Sequence, residues 1–137
     1  ERPTHPIVVM NGDLLTHIQY DALLEFHDAH QATATMAIRE YEIQVPYGVV
    51  RVDGERIKAI EEKPVQQCFI NAGVYVLSPE ALDHLPDGAF LDMPSLFEHF
   101  IAGGDNVVAY PLREYWIDIG RSDDLERAAR DWAGSRQ

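Results

Sequence analysis

Ile7-Val8-Val9-Met10-Asn11-Gly12-Asp13 is the stretch on which the fold class turns. Its first four residues are apolar and mostly β-branched, Pro6 closes them in front and Asn11-Gly12 behind. That is the pattern of a short strand covered on both faces, and it predicts a central parallel strand. Asp13 then lies just past the carboxyl end of the strand, where open α/β sheets bind their ligands. Gly12 beside it lets backbone approach a ligand closely. Taken alone, Asn-Gly-Asp is also an ordinary turn sequence.

Downstream, Tyr20 to His30 repeats Ala22, Leu23, Phe26 and Ala29 at helical spacing with Asp21, Glu25 and Asp28 between, which predicts an amphipathic helix lying on the sheet. Thr33 to Ile38 is rich in β-formers, so strand, helix and strand make a β-α-β unit with a right-handed crossover. Gly48 to Val52 and Glu55 to Glu61 flank Asp53-Gly54, the signature of a tight antiparallel hairpin. Cys68 to Leu77 is a second strongly apolar strand. Ser78-Pro79-Glu80 then supplies an N-cap, a first-turn proline and a first-turn acid for a short helix reaching about Leu85.

Asp92 to Ala102 places Leu96, Phe97, Phe100 and Ile101 on one helical face, with Gly103-Gly104 as its stop. Val107 to Leu112 and Tyr115 to Ile119 read as two further strands. Ser122 caps a last helix whose Leu125, Ala128, Ala129 and Trp132 form an i, i+3, i+4, i+7 stripe. The whole is α/β with a mixed, mainly parallel sheet and one β-hairpin.

With 137 residues and 46% hydrophobic content, the chain can bury one core and is predicted to be one domain or most of one. Its 11 Lys and Arg against 23 Asp and Glu give a formal charge of −12. Nucleic acid and anionic membrane both need a basic face, so neither is expected as a partner. Acidic proteins hold phosphates through a divalent cation set between their carboxylates and the ligand, and the charge points to metal as the main phosphate clamp. Cys68 is the one cysteine, which excludes an internal disulfide or a multi-thiolate zinc site and suits a reducing, cytoplasmic compartment. No run of 18 apolar residues and no signal-peptide core is present, so a soluble protein is expected.

Four segments narrow the function: Val9-Met10-Asn11-Gly12-Asp13; Tyr47-Gly48-Val49-Val50; Glu61-Glu62-Lys63-Pro64 with Asn71-Ala72-Gly73-Val74-Tyr75; and Tyr115-Trp116-Ile117-Asp118-Ile119-Gly120. In this order and at these intervals they resemble the nucleoside-diphosphate-sugar pyrophosphorylases, the sugar-1-phosphate nucleotidyltransferases, from about Pro6 to Trp132. Val45-Pro46-Tyr47-Gly48-Val49-Val50 and Asp92-Met93-Pro94 look most like the guanylyltransferase-like branch.

The resemblance implies a Rossmann-like, GT-A-like core, here partial, and a reaction in which a sugar 1-phosphate oxygen attacks the α-phosphate of a nucleoside triphosphate and releases pyrophosphate. Carried over by motif, Asp13 and Asp118 are implied as ligands of one Mg²⁺ ion. Lys63 is implied to contact the sugar phosphate and, with the two acids, to be catalytic. Glu62 is implied to accept from sugar hydroxyls, Gly48 to offer its backbone N–H, and Asn71 to read hydroxyls. Gly12, Tyr47, Gly73 and Trp116 complete the implied substrate contacts. Glu62, Lys63, Gly48 and Asn71 are expected to line one pocket. Each residue has a plainer reading: a solvated lysine before proline, a turn glycine, an asparagine bonded to local backbone, a core tryptophan. His27 and His30 share a helix face, but no third ligand accompanies them and an exposed polar face explains them more simply than zinc.

Two rivals come from other classes. A non-catalytic sugar-phosphate-binding or regulatory module would keep the sugar side without turnover. A nucleotide-sugar glycosyltransferase of related architecture would present Asp-x-Asp, which occurs nowhere in the sequence. The family's glycine-rich triphosphate loop also has no counterpart, since Gly103-Gly104 follow a helix and not a strand. The chain is therefore expected to be the C-terminal part of such a domain, without its nucleotide-binding segment. An exposed edge at Ile7 to Met10 would then favour a homo-oligomer. Positioning contributes roughly 7–11 kcal/mol in well-oriented reactions, so loss of the triphosphate cradle should remove most of the rate. The 137-residue chain, incubated with Mg²⁺, each nucleoside triphosphate and a panel of sugar 1-phosphates, should release no pyrophosphate at enzyme-like rates.

Overall fold

The structure, a computed structural model, describes residues 2–85, 88, 90–120 and 122–134, with the side chains of 122, 123, 127 and 132–134 outside the description. In chain order its elements are β1 (Ile7–Met10), β2 (Leu14–Thr16), α1 (Tyr20–Ala29), β3 (Ala34–Gln44), β4 (Val49–Asp53), β5 (Arg56–Glu61), β6 (Val65–Leu77), a 3-10 helix (Pro79–His84), α2 (Met93–Gly103), β7 (Val107–Pro111), β8 (Trp116–Asp118) and α3 (Ser122–Gly134). They divide into two compact units, Glu1–Ile38 with Asn71–Gln137, and Arg39–Ile70.

The first unit holds the core. Its sheet has the order β1-β6-β3-β7, with β3 and β7 parallel and β1 and β6 antiparallel. Period-two alternation along β6 drives two clusters apart. Ala72, Val74 and Val76 join Leu14, Ile18, Leu23 of α1, Ala37 and Leu112. Tyr75 and Leu77 join Ala34, Ala81 and the α2 residues Leu96, Phe97 and Phe100. The sheet is thus covered by α1 on one face and by α2 with the 3-10 helix on the other. Leu23 and Phe100 are fully buried, and each contributes roughly 1.5–3 kcal/mol through the surface it removes from water.

The α/β class and the mixed sheet stand as expected, with several corrections. β1 is not a central parallel strand: it lies at the end of the strand order, runs antiparallel to β6, and leaves Val8 and Met10 partly exposed. An apolar run reports a strand's environment, not its direction or neighbours. β1 and β3 are consequently not adjacent, because β6 inserts between them. Of the ladders described, β3 with β7 is parallel while those of β1, β2 and β4 with their partners are antiparallel, a larger antiparallel share than the sequence implies.

Ser78 makes no cap hydrogen bond, and the segment after it is 3-10 rather than α-helical. Asp92 does cap α2, accepting from Ser95 N–H at 2.8 Å. Gly104 ends α2 in the left-handed region at φ 80°. Ile101 is 64% exposed and Leu125 58% exposed, so neither shares the buried face predicted for it, while Ala128 does. The Ser122 cap and Trp132 lie outside the described side chains. No helix among the described residues is long and apolar enough to cross a membrane.

The second unit contains the expected hairpin, but its turn lies one residue later. Asp53 pairs with Arg56, so Gly54 and Glu55 form the turn. Gly54 has φ 57° at the first central position, where a two-residue II′ turn takes glycine.

His27 departs most from its sequence reading. It does not sit on an exposed polar face but is 1% exposed. Its Nδ1 lies 2.7 Å from Thr35 Oγ1 and its Nε2 3.0 Å from Ser78 Oγ. The Ser78 hydroxyl donates to the Ala32 carbonyl at 2.6 Å, which leaves its oxygen to accept from Nε2–H and the Thr35 hydroxyl to donate to Nδ1. This occupation of Ser78 also explains its failure to cap. Burial lowers the His27 pKa from its usual 6.5, against a smaller opposing pull from Asp28. Because the folded pKa is depressed, the contribution to stability is complete above about pH 6.5 and is lost as pH falls below it toward the folded value. Thermal melts between pH 7.5 and 5 should show a Tm that declines on acidification, and His27→Gln should flatten that decline.

Candidate functional site

β2 and β8 pair antiparallel, with Leu14 opposite Asp118, Leu15 opposite Ile117 and Thr16 opposite Trp116. The ladder is continued by Ile119 N–H donating to the Asp13 carbonyl at 2.8 Å. Two acids far apart in sequence are thereby set at neighbouring backbone positions. Both are exposed, and among the described residues neither carboxylate has a hydrogen-bond or ion-pair partner. A Cβ at Gly120 would stand 3.4 Å from Asp118 Oδ1, and a Cβ at Gly12 would meet nothing within 4 Å among the described residues.

The donor set suits a hard divalent cation. Mg²⁺ takes one or two carboxylates and fills its octahedron with water and phosphate oxygens, whereas a dedicated cage needs more protein ligands. No cluster of three or more His, Cys, Asp or Glu side chains occurs among the described residues. His27, 1% exposed and hydrogen-bonded at both ring nitrogens, has no nitrogen free for a metal shared with His30.

Around this acid pair, the residues of the Asn71 segment are bonded to one another. Asn71 Oδ1 accepts from Gly73 N–H at 2.8 Å and its Nδ2 donates to the Tyr75 hydroxyl at 2.8 Å. The local-backbone reading of Asn71 therefore describes its present bonds, although the exposed amide keeps a second Nδ2 hydrogen. Gly73 is buried, its N–H is taken by Asn71 and its C=O accepts from Asn11 N–H at 2.9 Å. Trp116 is half-buried against the α1-side core and donates Nε1–H to the Ala72 carbonyl at 2.8 Å. Its indole braces β8 against β6.

Tyr47, Gly48, Glu62 and Lys63 belong to the second unit. The register of Val49 opposite Glu61 sets Gly48 against Glu62, and a Cβ at Gly48 would come within 3.1 Å of Glu62 Oε2. The missing side chain makes room for that carboxylate. Lys63 is exposed and takes φ 45°, a conformation uncommon outside glycine, between Glu62 and Pro64. Val45 N–H donates to the Pro64 carbonyl at 3.0 Å and closes the turn. Tyr47 is 75% exposed.

Sequence reasoning missed Asn11. Its side-chain amide would be met at 2.8 Å by a Cβ placed on Gly73. The signal lay in plain view in Asn11-Gly12-Asp13, but it was absorbed into the turn reading. Tyr75, the last residue of the Asn71 segment, accepts from the Asn71 amide through its hydroxyl at 2.8 Å.

The nucleotidyl transferase family matches residues 1–134. The mannose-1-phosphate guanyltransferase of Pichia angusta is 33% identical over 130 residues, taking 88% of this chain and 34% of its own. The UTP–glucose-1-phosphate uridylyltransferase of Synechocystis sp. is 31% identical over 131 residues, 90% of this chain and 34% of its own. The crystal structure of HddC from Yersinia pseudotuberculosis matches 93% of this chain and 56% of that one with a TM-score of 0.62 and 24% identity, a likeness of fold. The chain spans about a third of the length of the curated relatives it matches.

Trp116→Phe keeps most of the packing but removes the Nε1–H bond to the Ala72 carbonyl, which should cost about 0.5–1.5 kcal/mol. A chemical denaturation midpoint lowered with an unchanged slope would report it.

Proposed function

Since the chain belongs to the nucleotidyl transferase family, we propose that it supplies the acid pair and the sugar-side residues of a sugar-1-phosphate nucleotidyltransferase. The observation that supports this reading is the β2–β8 ladder, in which Leu14 pairs with Asp118 and the Asp13 carbonyl accepts from Ile119 N–H, so that two acids distant in sequence have neighbouring backbones and, among the described residues, no side-chain partner. In the reaction a sugar 1-phosphate oxygen forms a bond to the α-phosphorus of a nucleoside triphosphate while the bond to the bridging oxygen breaks and pyrophosphate leaves. Mg²⁺ held by Asp13 and Asp118 would supply positive charge to the phosphate oxygens. Lys63 supplies a second positive charge, to the sugar phosphate. Glu62 and the Gly48 N–H orient the sugar hydroxyls, and Asn71 offers its remaining amide hydrogen. Gly12, bare on its outer side, admits the substrate beside Asp13.

We put a guanine nucleotide and mannose 1-phosphate first, because the Pichia relative is the more similar of the two curated proteins described and carries those substrates in its name. The product would be an activated sugar for polysaccharide or glycoconjugate synthesis. A cytoplasmic setting suits the nucleotide supply and the single thiol of Cys68.

The polypeptide in which this segment is encoded should release pyrophosphate from GTP and mannose 1-phosphate in the presence of Mg²⁺. Within it, Asp118→Asn should lower kcat by roughly 10²–10³, as removal of a group that acts on developing charge does. Lys63→Ala should raise KM for the sugar 1-phosphate more than for the nucleotide. Unchanged turnover in Asp118→Asn would overturn the assignment of the acid pair.

A further inference from the structure

We infer that Gly73 is the positioning residue that sets the course of the Asn11–Leu14 backbone, and so of Asp13 against the strand that carries Asp118, an inference that rests on the acid pair being the divalent-cation site. Gly73 lies in β6, yet the Asn11 to Leu14 segment wraps around it. Asn11 N–H donates to the Gly73 carbonyl at 2.9 Å. A Cβ built on Gly73 would stand 2.8 Å from Asn11 Nδ2, 2.8 Å from Leu14 Cδ1 and 3.1 Å from Asn11 Cγ. Contacts under 3.0 Å are ones that real Cβ atoms essentially never make, so the segment touches the bare Cα on both sides of Gly12-Asp13. φ at Gly73 is 72°, a region that side chains oppose for a second, independent reason.

The consequence for the acid pair is geometric. Asp13 is suspended between Asn11 and Leu14, both of which rest on Gly73, while Leu14 is the residue that pairs with Asp118. The exposed Asn11 side chain can swing away, but Leu14 is packed in the α1-side core, so the push on it, together with the strain of any side chain at φ 72°, falls on the backbone whose Asp13 carbonyl holds Ile119 N–H. The same glycine gives its N–H to Asn71 Oδ1 at 2.8 Å. Gly73 therefore registers the acid loop against the residue assigned to sugar hydroxyls, and a displacement of one is felt by the other. Nothing in this argument gives Gly73 a contact with substrate or metal. Its effect is exerted through Asn11 and Leu14.

The test uses the chain itself, with Mn²⁺ as a paramagnetic substitute for Mg²⁺ and no need for turnover. Mn²⁺ affinity is read from its electron paramagnetic resonance signal, and the position of the loop from the amide shifts of Asn11, Asp13, Leu14 and Ile119. Gly73→Ala should weaken Mn²⁺ binding by about tenfold or more, the usual scale for loss of a residue that orients a metal ligand. It should also move the four amide resonances. Asn11→Ala, which removes the amide from Gly73 but keeps the backbone bond, should weaken binding by a smaller factor and leave the fold intact. This second variant carries the test if Gly73→Ala does not fold. Unmoved loop resonances with unchanged Mn²⁺ affinity in a folded variant would overturn the inference. The acid-pair reading is checked separately by Asp13→Asn. If the wild-type chain binds no Mn²⁺, or Asp13→Asn binds it equally well, the metal reading fails, while displaced loop resonances in Gly73→Ala still support the positioning of Asp13 by Gly73.

Discussion

Six consecutive residues of β6, Ala72 to Leu77, are buried, and the rest of the first unit is arranged to satisfy that condition. A strand covered on both faces must find a helix on each side and a hydrogen-bonded strand at each edge. Here α1 and α2 supply the faces, and β1 and β3 supply the edges. Main-chain satisfaction is reached by the ladders, and the few polar side chains drawn in with them, Thr35 and His27, are bonded to each other. Among the described residues no buried side-chain nitrogen or oxygen lacks a partner. The site uses the same strand: Gly73 opens a gap in it, the Ala72 carbonyl anchors Trp116, and Asn71 stands just outside the buried run.

Much of this was legible in the sequence, for identifiable reasons. α1, α2 and the hairpin each carry a period, a cap or a turn residue that acts within a few positions, so local pattern located them well. The two acids stood out in the sequence because each follows an apolar run, Asp13 next to Gly12 and Asp118 two positions before Gly120. What was not legible depends on contacts between distant segments. Nothing in Ile7-Val8-Val9-Met10 reveals that its partner lies beyond Cys68 or that it runs antiparallel to it. His27 has the spacing of a surface residue, and only Thr35 and Ser78 make it an interior one. Gly73 reads as a motif letter until Asn11 and Leu14 are seen against it.

The overall charge of −12 takes on a more specific meaning beside the acid pair. A surface rich in carboxylates repels a polyphosphate, and the repulsion is relieved where a cation binds. Under the proposed function, a cation at the acid pair would turn this background from a repulsion into a local preference for phosphate.

β6 does not end with its buried run. Toward its N-terminal end Val65 to Phe69 are all exposed, and the whole second unit, Arg39–Ile70, contains no residue of the buried class. The two ends of one strand are consequently under different rules of sequence drift. Substitutions within Ala72 to Val76 strike the core and cost stability, whereas truncating the exposed side chains of the second unit opens no cavity.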